Sequence, residues 1–133
     1  KSLFELMKDT KPNFNSNVFK KIFINIPKDL LLKRIENRIE KMFRDGVIEE
    51  VNLFFKMRVY RELSSNKIIG LREIKSYLNN KTSLIEAKEL IAQKTRQYAK
   101  RQLTWSRGHM KSWETIDSSD INDFFKKAIN KIS

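Results

Sequence analysis

The chain contains no cysteine and a single histidine, His109. Disulfides, thiolate nucleophiles, cysteine-based zinc sites and histidine clusters are thereby excluded, and a reducing cytoplasm is the compartment that fits. Its three glycines stand at 46, 70 and 108. So dispersed, they form no GxxxxGK[ST] loop able to cradle a nucleotide phosphate. No apolar run reaches the roughly 18 residues that a membrane span needs, and the first residues hold no apolar signal core. The polar opening from Lys1 to Lys11, without an initiator methionine, leads us to expect a fragment. Acidic residues are scarce beside basic ones: Asp and Glu number 16 against 28 Lys and Arg, a formal charge of +12. That imbalance points to a polyanionic partner, the plain alternative being a lysine-rich solvated surface. With 40% hydrophobic and 33% charged residues the chain has apolar surface to bury and lacks the signature of disorder.

Residues 1–17 read as a connector, since Pro12, Asn13, Asn15, Ser16 and Asn17 follow a short mixed run. Val18 to Ile26 is rich in strand-favouring side chains and is closed by Pro27. From Pro27 and Asp29 a helical pattern runs to about Arg44, with Leu31, Ile35, Ile39 and Met42 at steps of three and four and Asp45-Gly46 as its stop. A second helix over Val47–Met57 is expected to bury Val47, Val51, Phe54 and Phe55. A polar turn around Ser64–Asn66 leads to a short helix, Leu71–Leu78. Ser83 and Glu86 have capping-box spacing and open a long helix that Gly108 is expected to end. Trp113–Ile116 suits a second strand, and Ile121, Phe124, Phe125, Ala128, Ile129 and Ile132 mark a last amphipathic helix. Two strands among so many helices do not close a small α/β domain, so the remainder of a parallel sheet is expected to lie elsewhere.

Two constellations could carry chemistry. Arg34, Arg38 and Lys41 share one helix face, where like charges repel unless an anion or neighbouring carboxylates offset them. Guanidinium groups there suit a phosphate or diphosphate; a solvated face with intrahelical ion pairs is the alternative. The second is the long helix, because residues 88–111 hold seven Lys or Arg against one Glu. In projection Arg96, Lys100 and Arg107 lie on one side, Lys94 and Arg101 on another, with Ile91, Thr95, Tyr98, Gln102 and Trp105 between them. Such a face can hold RNA phosphates and offer hydroxyl or amide groups to a base. Alternatively, Tyr98 and Trp105 are core anchors and the charges solvate the flanks. Glu50 and Glu73 read as salt-bridge or helix-supporting groups, and His109 as a surface residue in a loop past Gly108.

Several stretches resemble one family. They are Lys1-Ser2-Leu3 with Glu5, Pro27 and Asp29; Leu32, Arg34-Ile35, Arg38, Met42 and Gly46; Glu49-Glu50-Val51 with Leu53; Ile69-Gly70, Arg72-Glu73 and Tyr77-Leu78. The most specific is Thr95-Arg96-Gln97-Tyr98-Ala99-Lys100-Arg101-Gln102 with Thr104-Trp105 and Arg107. Together the sequence resembles the C-terminal part of bacterial tRNA dimethylallyltransferase, the tRNA isopentenyltransferase family. Leu30 and Leu71 depart from it, where members commonly carry Arg and Tyr.

The resemblance implies an α/β fold: a mostly helical C-terminal fragment of a P-loop NTPase-like parallel-sheet core, with about four to five helices and two short strands. Residues 1–17 would connect to a helical insertion domain and residues 18–133 would complete the core. It implies transfer of a dimethylallyl group from dimethylallyl diphosphate to the N6 amine of the adenosine 3′-adjacent to the anticodon. Arg34 and then Arg38 would contact the diphosphate. Thr95, Arg96, Gln97, Lys100, Arg101, Gln102, Thr104 and Arg107 would contact the tRNA anticodon stem-loop. The catalytic aspartate, the nucleotide loop and the ligand of a Mg2+ ion would lie in the other half, and the complete enzyme would be a cytoplasmic monomer without a membrane partner. A non-catalytic basic RNA-binding module and a purely structural helical domain are the competing readings.

Overall fold

A computed structural model describes residues 19–57 and 63–132. The connector expected over residues 1–17, and Val18, lie outside the described residues. Two compact units emerge, one spanning Ile26–Lys111 and the other combining Lys1–Asn25 with Ser112–Ser133.

In the first unit, Pro27 precedes α1 (Lys28–Arg44), whose early turn carries Asp29 and whose last turn carries Lys41 and Arg44. Those charges suit the positive and negative ends of the helix dipole. Gly46, with φ at 97°, turns the chain in the left-handed region into α2 (Val47–Lys56). A single 3-10 turn at Ser64–Lys67 leads to Gly70, where φ is 111°, and to α3 (Leu71–Leu78). A Cβ on Gly70 would meet nothing closer than Ile91 Cδ1 at 3.9 Å, so its backbone angle rather than space requires glycine. The long α4 (Leu84–His109) starts at the expected box: Ser83 Oγ accepts from the Glu86 N–H at 3.2 Å, and Glu86 Oε2 accepts from the Ser83 N–H at 2.7 Å.

These helices meet over Ile35 and Ile39 of α1, Val47 and Val51 of α2, Ile74 of α3 and Ile91 of α4, flanked by Leu31, Phe43, Ile48, Phe55 and Ile69. Ile74 is fully enclosed, and burying such a side chain contributes about 1.5–3 kcal/mol. Phe54 and Phe55 are only partly buried and Leu78 is exposed, because one turn of each short helix faces the core. Gly108 does not end α4: the Met110 N–H still bonds to the Ser106 carbonyl at 2.8 Å, so His109 belongs to the helix and not to a loop.

In the second unit, β1 (Ile22–Asn25) and β2 (Glu114–Asp117) pair in parallel, with Ile22 opposite Glu114 and Asn25 opposite Asp117. Both strands are four residues long, shorter than or offset from the patterns Val18–Ile26 and Trp113–Ile116, because among the described residues the ladder pairs only Ile22–Asn25 with Glu114–Asp117. Asn25 Nδ2 donates to Asp117 Oδ1 at 2.6 Å and closes the end of the ladder. Asp120 Oδ1 accepts the N–H groups of Asn122 and Asp123 at 2.8 and 2.9 Å, capping α5 (Ile121–Ile132). Ile116 and Ala128 are buried, whereas Phe125, Ile129 and Ile24 stay exposed. The fold is α/β and mostly helical, with five α-helices and one two-stranded parallel sheet among the described residues. No described helix is long and apolar enough to cross a membrane.

Candidate functional site

The expected cationic face of α1 splits on folding. Lys41 turns to Asp45, one turn away, and forms an ion pair. Arg34 and Arg38 instead line an open cleft of about 800 Å3 between α1, the segment 67–69 and α4. From α4 the cleft receives Thr95, Tyr98, Ala99, Arg101 and Gln102, while Leu31, Ile35, Ile68 and Ile69 give it an apolar wall. Among the described residues four that line it are cationic (Arg34, Arg38, Lys67 and Arg101) and none is acidic. Its described lining thus sets cationic groups beside an apolar wall.

The wall is braced from behind. Glu73 is 5% exposed; it accepts from the Gly70 N–H at 2.9 Å and is ion-paired with Lys94 of α4. Burial alone would raise the Glu73 carboxyl, but the Lys94 ammonium and the backbone N–H groups outweigh it and hold it below its ordinary value of 4.5. Glu73 is thus a supporting group, as its spacing suggested, and the cation of Lys94 is spent on it. The brace fixes the start of α3 and therefore the preceding residues 67–69 that line the cleft.

The remaining expected contacts distribute over α4. Arg96 lines a second, smaller groove of about 210 Å3 with Glu36, Glu40, Lys88 and Glu89, a mixed-charge setting in which Lys88 bonds to Glu40 at 2.7 Å. Gln97, Lys100, Thr104 and Arg107 line neither cleft and are exposed along the helix. The Thr95 and Thr104 hydroxyls donate back to the carbonyls of Ile91 and Lys100, at 2.8 and 3.0 Å, which leaves their oxygens as acceptors. Tyr98 and Trp105 are 50% and 55% exposed and are not core anchors. The Arg101 guanidinium carbon lies 5.9 Å from the Tyr98 ring centroid, so the arginine stacks over the ring that shares its cleft. Among the described residues Lys67 is the cation of the cleft that sequence reasoning passed over, since a lysine in a polar turn carries no signal of direction.

Among the described residues no group of three or more His, Cys, Asp or Glu could hold a metal ion. The cleft, lined by cations, does not fit magnesium's preference for carboxylate oxygens.

A protein-family profile described as IPP transferase matches residues 1–109. The tRNA dimethylallyltransferase of Pelagibacter ubique is 40% identical over 126 residues, 95% of this chain and 40% of that protein. That of Kosmotoga olearia is 42% identical over 108 residues, 81% of this chain and 35% of that protein. Among solved structures, the full-length tRNA isopentenylpyrophosphate transferase of Bacillus halodurans superposes with a TM-score of 0.74 at 30% identity, over 97% of this chain and 42% of that one. The Staphylococcus epidermidis tRNA delta(2)-isopentenylpyrophosphate transferase gives 0.68 at 30% identity, over 85% and 38%. The chain therefore spans well under half the length of these relatives.

Proposed function

The chain belongs to the IPP transferase family, and from that premise we propose that it is the C-terminal part of a tRNA dimethylallyltransferase. In this reading residues 1–17 connect to a helical insertion, and residues 18–133 complete a parallel-sheet core whose other strands, nucleotide loop and catalytic aspartate lie in the part of the relatives that this chain does not span. The small parallel sheet and the uncovered Phe125 and Ile24 support it, because parallel strands are ordinarily covered on both faces.

The observation that carries the reading is the cationic cleft that joins Arg34 and Arg38 of α1 to Thr95, Arg101 and Gln102 of α4. Dimethylallyl diphosphate combines an anionic head with an apolar tail, and the cleft offers guanidinium groups beside Leu31, Ile35, Ile68 and Ile69. In the reaction the N6 lone pair of adenosine forms a bond to the allylic carbon, the carbon–oxygen bond breaks, and the electron pair leaves on the diphosphate. The N6 proton passes to a base outside this chain. Negative charge grows on the leaving oxygen as the bond breaks, so cations already held beside it lower the barrier without reorganising. Arg34 takes this role first and Arg38 second. A magnesium ion, held by residues outside this chain, would neutralise part of the diphosphate charge.

The adenosine must leave the base stack to reach such a cleft. Thr95 and Gln102 then offer acceptor and donor groups to its edge, while Arg101 stands between cleft and solvent. Arg96, Gln97, Lys100, Thr104 and Arg107, spread over the outer faces of α4, contact the backbone of the anticodon stem-loop. The complete enzyme works as a cytoplasmic monomer.

Arg34→Ala in the complete enzyme tests the central assignment through prenyl transfer and diphosphate release. A fall in turnover on the order of 100-fold is expected, as for loss of a charge-stabilising donor, with RNA affinity retained. Near-normal turnover with intact RNA binding would refute the role given to Arg34.

A further inference from the structure

The last turns of α4 carry an arrangement that the cleft does not use. The rings of Trp105 and His109 stack with centroids 4.6 Å apart and planes 15° from parallel. His109 Nδ1 lies 2.9 Å from the Trp105 carbonyl oxygen. A carbonyl only accepts, so Nδ1 carries the proton, and the bond fixes the imidazole against the indole. Trp105 is 55% exposed and His109 is exposed as well. Large aromatic side chains seldom lie open on a surface in rigid pairs without a partner, because water is a poor neighbour for their faces.

Position supplies the second argument. Residues 98, 101 and 102, 105 and 109 recur at steps of three and four, so they share one face of the helix. Tyr98, Arg101 and Gln102 of that face line the cationic cleft. Trp105 follows one helical turn beyond, about 5–6 Å further along the axis. The face thus passes from a charged cleft to an open aromatic surface, with Arg101 of the cleft one turn before Trp105 on the same side of the helix. Every nucleobase has a π face able to stack on such a surface, while a phosphate beside it meets the Arg101 guanidinium.

We propose that the Trp105–His109 pair is a stacking platform for an unpaired nucleobase next to the one that enters the cleft. This rests on the reading of α4 as the RNA-facing helix. The platform holds the neighbouring base unstacked from the target, so the target's departure from the RNA helix is stabilised by contact as well as by pairing of charge. Its occupant is an unpaired base rather than an apolar protein segment, because the same helix face runs through Arg101 and Gln102 directly into the cationic cleft.

The test uses the complete enzyme and two anticodon stem-loop RNAs, one intact and one with abasic sites at the nucleotides flanking the target. Trp105→Ala should weaken binding of the intact RNA roughly tenfold or more and leave binding of the abasic RNA near its wild-type value, and Trp105→Phe should restore most of the loss. Equal weakening for both RNAs, or no weakening for either, would overturn the platform. In a variant that keeps Trp105 as its sole tryptophan, acrylamide should quench its fluorescence before RNA is added and much less afterwards. Protection already present without RNA would mean that the protein's own remaining segment covers the pair, and would also overturn the proposal. Loss of RNA affinity on replacing Lys100 and Arg101 is a separate readout: if that pair proves neutral at every salt concentration, the RNA-facing reading of α4 fails, whatever Trp105 does.

Discussion

Replacing Glu73 separates two contributions that the fold joins in one carboxylate. The side chain is 5% exposed and holds the buried Gly70 N–H at 2.9 Å as well as Lys94. Alanine at this position strands the Gly70 N–H without an acceptor and removes a charge-assisted bond. The first costs about 1–3 kcal/mol, and the second adds less than its full value because Lys94, about half exposed, can rehydrate. A total of about 2–4 kcal/mol is expected for Glu73→Ala. Glu73→Gln keeps an acceptor for Gly70 and loses only the charge, so about 1 kcal/mol is expected. Urea unfolding of the complete enzyme measures both. The sign of the pH dependence follows from the lowered Glu73 value: the ionised carboxylate contributes above the ordinary value of 4.5, and that contribution is lost as pH falls through the lower folded-state value. The gap between wild type and Glu73→Gln should therefore be constant near neutral pH and close in acid. Because the brace places the residues lining the cleft, the KM for dimethylallyl diphosphate should rise in Glu73→Ala more than in Glu73→Gln. If the two variants prove equally stable, or if the glutamine deficit persists undiminished in acid, the assignment of Glu73 as a charged brace is wrong.

Replacing Lys100 and Arg101 together should weaken binding to the anticodon stem-loop and flatten its dependence on salt, measured by titration at several ionic strengths; unchanged affinity at moderate salt argues against phosphate contacts there. Gly70→Ala should cost about 1–2 kcal/mol in thermal unfolding, since φ of 111° is unfavourable for an L side chain although the nearest atom is 3.9 Å away. Ser83→Ala should cost about 1 kcal/mol and show first in faster amide exchange over the opening turn of α4, since it removes the acceptor for the Glu86 N–H.

Local chemistry was legible in the chain wherever both partners lie within a turn or two. Ser83 and Glu86 announced the start of α4, and Asp45-Gly46 announced the end of α1. Glu73 was readable as a supporting group, though not its partner, because Lys94 stands 21 positions away. His109 was misplaced by the presence of Gly108, which is permitted in a helix at a modest cost and does not by itself stop one. The strands were found but drawn too long or one residue early, since β propensity marks a suitable surface while pairing decides how much of it is used.

The sequence by itself determined the excess of positive charge, the order of helices and strands, the amphipathic stripes of α1 and α4, and the family resemblance carried by residues 95–107. Only the tertiary structure decided that Arg34, Arg38, Lys67 and Arg101 line one cleft and that Lys94 is committed to Glu73. Helical period fixes the direction of a side chain around its own axis. The rotation of one helix against another is set by how Ile35, Ile74 and Ile91 fill the space between them, and that packing, which no single stretch of sequence contains, turns separate charged faces into a site.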